Sequence, residues 1–96
     1  MKKLIIALKS RNDIFSFSRL LQQNGVFNTT INTPNSIGST CSLSIRCDAQ
    51  HLEKVKHLIY QIRPNSFYGL FLLNFTQQGE QILKLVIFPL RKEHIT

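Results

Sequence analysis

The stretch TPNSIGSTC, residues 33–41, ends on a thiol, Cys41, at the start of an alternating segment. A cysteine at the mouth of a strand can serve as a thiolate nucleophile when nearby cations or a helix N-terminus favour the anion. Four residues suited to that role, Lys9, Ser10, Arg11 and Asn12, lie between the first apolar run and the first helical pattern. Ser39 and Thr40 stand directly before the thiol. The two bases favour a negative sulfur, and the hydroxyl and amide groups can donate hydrogen bonds to it or to a bound anion. A plainer reading stands beside this one. Cys41, Leu43, Ile45 and Cys47 alternate with Ser42, Ser44 and Arg46. On that pattern Cys41 is simply the first core residue of a half-buried strand, and cysteine is among the most buried residue types.

Other chemistry finds little support. His51 and His57 are six apart on a helical pattern, off the i, i+4 spacing, and no cysteine or carboxylate completes a metal set. The segment NSIGST has one glycine and lacks the Gly-Lys-Ser signature of a phosphate loop. There are no paired carboxylates and no Ser-His-Asp arrangement. No metal, no cofactor and no independent enzyme activity are therefore expected. Cys47, followed at once by the capping residue Asp48, reads as structural. On one strand, six residues apart, the two thiols stand about 20 Å from each other. A bridge needs Cα atoms within about 7 Å, so both cysteines are expected reduced, as in the cytoplasm.

Ninety-six residues make one small domain, 1–96. A hydrophobic share of 43% with 18% charged residues fits a globular chain. Twelve lysines and arginines against five acids give a net charge of +7, which makes a polyanion such as RNA a candidate partner. The bases are scattered, in runs no longer than two, so a solvated surface is the preferred account and nucleic acid the lesser one. The opening MKKLIIALKSR has too short an apolar run for a signal peptide, and no segment approaches a membrane span.

The elements follow from periodicity. Leu4 to Leu8 is a continuous apolar run, as in a strand covered on both faces. Ser10, Asn12 or Asp13 can cap a helix whose Ile14, Phe17, Leu20 and Leu21 share a face, and Asn24-Gly25 ends it. Val26 to Ile31 reads as a second strand and residues 41–47 as a third. Asp48 caps a helix with a Leu52, Val55, Ile59, Ile62 stripe, stopped at Arg63-Pro64. Phe67 to Phe75 and Ile82 to Phe88 are the last strands, expected to form a hairpin or to pair with a second subunit. This βαββαβ order with an added C-terminal strand predicts an α+β, ferredoxin-like two-layer sandwich. The right-handed crossover makes the first two strands parallel. Cys41 then starts its strand at the end of the sheet where the Lys9 to Asn12 loop lies.

Several segments carry a resemblance: LIIAL, LLQQNGV, TPNSIGSTC and LSIRCDAQHLEKV. Together they resemble a family of small bacterial domains of unknown function described as selenium/sulfur carrier-like. That family places a threonine-proline step before a short loop and a cysteine, usually followed by glycine. Thr33, Pro34 and Cys41 match; Ser42 stands in place of the glycine. The likeness covers roughly residues 3 to 62, so 1–62 is the family-like part and 64–90 an added C-terminal hairpin. The resemblance implies a sulfur or selenium relay in which Cys41 accepts a persulfide or selenosulfide sulfur. Its partners would be sulfur donor and acceptor proteins. The competing expectation is a non-catalytic ligand- or RNA-binding regulatory module that works as a homo-oligomer. Phe67, Tyr68, Phe71 and Phe75 are its aromatic candidates.

Overall fold

A computed structural model of the chain describes residues 2–37 and 41–85. The first strand, β1 (Lys2–Leu8), is the spine: Leu4, Ile5, Ile6, Ala7 and Leu8 are all fully buried. Helix α1 (Arg11–Gln23) follows, then β2 (Asn28–Asn32), a short 3-10 turn at Asn35–Ile37 and β3 (Leu43–Asp48). A second 3-10 turn, Ala49–His51, leads into α2 (Leu52–Ile62), and β4 (Phe67–Thr76) and β5 (Gly79–Leu85) form a hairpin. The sheet order is β2-β3-β1-β4-β5, and every neighbouring pair is antiparallel. Because β3 lies between β1 and β2 and opposes both, β1 and β2 run in the same direction. The expected element order is therefore the observed one. Residues 86–88 of the expected last strand lie outside the described residues. Among those described, no helix is long and apolar enough to cross a membrane.

Both helices cover one face of the sheet. Ile14, Phe17 and Leu21 of α1 and Val55, Leu58 and Ile59 of α2 pack with Leu4, Ile6 and Leu8 of β1. Val26, Ile45, Cys47 and Leu70 complete that core. Of the three candidate caps for α1, Ser10 is the one used. Its backbone is extended, and its Oγ accepts from the Asp13 N–H at 3.3 Å. The helix stops where Asn24 Nδ2 donates to the Leu20 carbonyl at 2.8 Å and Gly25 takes a φ of +80°. Asp48 caps the 3-10 turn before α2 rather than α2 itself, accepting from the Gln50 N–H at 3.1 Å.

The opposite face carries a second, smaller cluster: Ile5, Ala7, Ile37, Cys41, Phe71 and Leu73. Strand alternation explains the division, since Ile5 and Ala7 point away from Leu4, Ile6 and Leu8. A bulge adjusts β4 to the same division. Ala7 pairs with Gly69 but Leu8 pairs with Phe67, which leaves Tyr68 as the extra residue. Phe67 accordingly packs on the helix side and Tyr68 on the other.

β2 starts at Asn28 rather than Val26 because the Val26 N–H donates to the Leu21 carbonyl at 2.9 Å and its carbonyl is taken by the side chain of Asn28. The Asn28 Oδ1 accepts from Ser18 Oγ at 2.5 Å, and its Nδ2 donates to the carbonyls of Ser18 and Val26. Asn28 is buried, so Asn28→Ala leaves these groups unpaired. The expected loss is about 1–3 kcal/mol, read as a lower urea midpoint with an unchanged slope.

Candidate functional site

Cys41 lies outside β3 and on the face away from the helices. The 41/43/45/47 alternation predicts that it shares a face with Leu43, Ile45 and Cys47. Instead β3 begins at Leu43, the chain bends at Ser42, and Cys41 packs with Ile5, Ala7 and Ile37. The bend breaks the two-residue period, which holds only within a continuous strand. The thiol is buried, at 6% exposure, and is not disulfide-bonded.

The neck of the preceding loop is fixed at both ends. The Thr33 N–H donates to the Ser42 carbonyl at 3.0 Å, and the Thr33 and Ser44 hydroxyls share a 2.7 Å hydrogen bond. Pro34 follows, its carbonyl accepting from the Ile37 N–H at 3.1 Å, and this turn lays Ile37 against Cys41 in the second cluster. Thr33 and Pro34 thus set the position of the thiol through ordinary ladder and turn hydrogen bonds.

The other sequence candidates divide between the two layers. Lys9 stands just past β1, and its ammonium lies 5.8 Å from the centroid of the Tyr68 ring. Ser10 is engaged as the helix cap. Arg11 and Asn12 are exposed in the first turn of α1, in the helix layer. Ser39 and Thr40 lie outside the described residues. Lys9 is therefore the candidate that the structure puts on the face of Cys41.

Lys84 escaped the sequence reading of this face, and Tyr68 entered it only as an aromatic candidate for RNA. Lys84 on β5 places its ammonium 5.6 Å from the same Tyr68 ring, so one aromatic carries two cations. Tyr68 in turn stacks on Phe71 at 6.3 Å and packs against the cluster that holds Cys41. Among the described residues neither lysine forms an ion pair with a carboxylate. The bulge that turns Tyr68 to this face has no sequence signature, so nothing in the residue order announced it. Gly69 makes the arrangement fit: a Cβ there would come within 2.9 Å of the Phe71 ring and 3.5 Å of the Lys84 side chain. Of the aromatics considered for RNA, Phe71 is buried and Phe67 and Tyr68 are half-buried; Phe75 is exposed.

A match to a family model spans residues 3–69, more than two thirds of the chain. The chain belongs to the family described as "Putative Se/S carrier protein-like". No curated protein and no solved structure matches the chain. The Se/S carrier-like match runs past Ile62 into β4, ending at Gly69, and so includes Cys41, the Thr33-Pro34 neck and Tyr68. It stops short of β5 and therefore of Lys84.

Cys47 contrasts with Cys41. It faces the helix-side core at 4% exposure, and its pKa is pushed up to about 11. Burial is the main cause; the Asp48 carboxylate adds to it and Lys3 opposes it. At neutral pH this thiol stays protonated and unreactive. The unfolded chain ionises Cys47 near the ordinary thiol value of 9.0, before the folded chain does. Stability is thus full below pH 9 and declines as pH rises towards 11, by an amount on the order of 2–3 kcal/mol. Urea melts across that range should show this decline in the wild type and a flatter curve in Cys47→Ala. Gly69→Ala forces the Phe71 ring aside and should destabilise by about 1–3 kcal/mol, seen as a lower Tm.

Proposed function

We propose that the protein is a sulfur or selenium carrier in which Cys41 holds the cargo. The observation that carries this reading is the place of Cys41 in the family-matched segment. It follows the fixed Thr33-Pro34 neck and sits on a sheet face that also bears two ammonium groups. The helix-side thiol, Cys47, is held protonated and takes no part. The inner strand order β2-β3-β1-β4 supports a ferredoxin-like sandwich with β5 added at one edge.

The transfer balances without an added oxidant. The Cys41 thiol loses its proton, and the thiolate attacks the outer sulfur of a cysteine persulfide on a donor protein. The donor S–S bond breaks, the donor leaves as a thiolate and takes up a proton, and Cys41 becomes the persulfide. Delivery to an acceptor thiol repeats the exchange in reverse. A selenosulfide donor follows the same course. The low exposure of Cys41 makes access to the thiol the controlling step, so donors that dock on the sheet face next to Tyr68 are favoured.

Incubation with a persulfide-bearing donor protein should add one sulfur atom to the wild type, read by intact mass. Cys47→Ala should load equally and Cys41→Ser should not load at all while keeping a native thermal melt. Loading of Cys41→Ser, or wild type that never loads, sinks the carrier reading and leaves a binding or assembly module.

A further inference from the structure

At the end of the sheet opposite Cys41 lies a cavity of about 250 Å³. Lys3, Phe27, Thr29, Arg46, Asp48 and His51 line it, coming from β1, the segment before β2, β2, β3 and the turn into α2. Its composition differs from that of the groove of about 300 Å³ at the α1 surface, where Phe17, Leu20, Ile62 and Pro64 contribute apolar walls.

Three features of the cavity combine. First, Phe27 is 83% exposed, more than any other large apolar side chain among the described residues. A ring left this open contributes little to the core, yet it offers a flat face at the rim of a polar hollow. Second, two permanent cations are neighbours there. Lys3 pairs with Asp48 and Arg46 lies two residues earlier on β3, so the two bases are diagonal neighbours on one sheet face. Thr29 pairs with Arg46 from the other side. Third, among the described residues neither cation forms an ion pair with a carboxylate. Asp48, the acidic member of the lining, has one oxygen occupied by the Gln50 N–H.

We propose that this cavity is a nucleotide site, with the base stacked on Phe27 and the phosphate held by Lys3 and Arg46. Stacking on an aromatic tolerates any base, and arginine binds phosphate through its planar fork. The Thr29 hydroxyl is placed to donate beside Arg46. The volume lies just below the usual range for ligand pockets, about 300–1,000 Å³, which leaves room for no more than one nucleotide unit. A net charge of +7 adds long-range attraction for a phosphate-bearing ligand. The nucleotide can be a free monophosphate or one residue of a single-stranded RNA. The proposal does not depend on the carrier reading.

The test uses the full chain and two probes, uridine monophosphate followed by NMR shifts and a labelled oligouridine followed by fluorescence anisotropy. Phe27→Ala and Arg46→Ala are compared with Lys56→Ala, a charge removed from α2 in the other layer. Phe27→Ala should weaken binding about tenfold or more. Arg46→Ala should weaken it and reduce the salt slope for the oligomer by about one. Saturable binding of the monophosphate identifies a free nucleotide as a ligand; binding of the oligomer alone identifies RNA. The proposal is overturned if neither probe saturates, if Phe27→Ala binds as the wild type does, or if Lys56→Ala loses as much as Arg46→Ala.

Discussion

The structure depends on β1 being buried on both faces. Five consecutive residues, Leu4 to Leu8, have essentially no exposure, so each side of the sheet must be covered at that strand. On one side the helices supply the cover, through Ile14, Phe17, Leu21, Val55 and Ile59. On the other, Ile5 and Ala7 are met by Ile37 and Cys41 from the β2–β3 connection and by Phe71 and Leu73 from β4. A backbone so enclosed must pair fully, and it does, with β3 on one side and β4 on the other. The placement of Cys41 follows from that demand. It is drawn to the second face because Ile5 and Ala7 need a neighbour there.

Much of this was legible in the residue order. The unbroken apolar run of β1 announced two-sided burial, and both helices appeared where periodicity put them, though Asp48 caps the turn before α2 and Ile62 of the expected stripe is exposed. The order of elements, with two helices and a hairpin at the end, could be read before any coordinates. What the order hid were departures from a simple period. The bend at Ser42 moves Cys41 to the other face, and the bulge at Tyr68 turns a ring that a regular strand would have sent to the helices. Both are tertiary responses to packing, decided by what lies across the sheet.

The candidate site was legible in part for the same reason. A thiol after a threonine-proline turn is visible in the sequence, and so is a lysine at the end of β1. The partnership of Lys9 with Lys84 is not, because it is made by two strands separated by most of the chain and meets on a ring whose orientation depends on a bulge. Ser10 could be seen as polar and near the loop, but its hydroxyl is already committed to the helix end. Local polarity did not tell a residue available to a ligand from one consumed by the fold.

The closed neck at Thr33 and Ser42 has a consequence for how this domain can change over evolutionary time. With the neck bonded across and Thr33 joined to Ser44, the loop is a ring whose base belongs to the sheet. Lengthening such a ring adds only a logarithmic closure term, about 0.6 kcal/mol for each doubling. Length changes beyond the bonded neck therefore leave the β2–β3 register untouched.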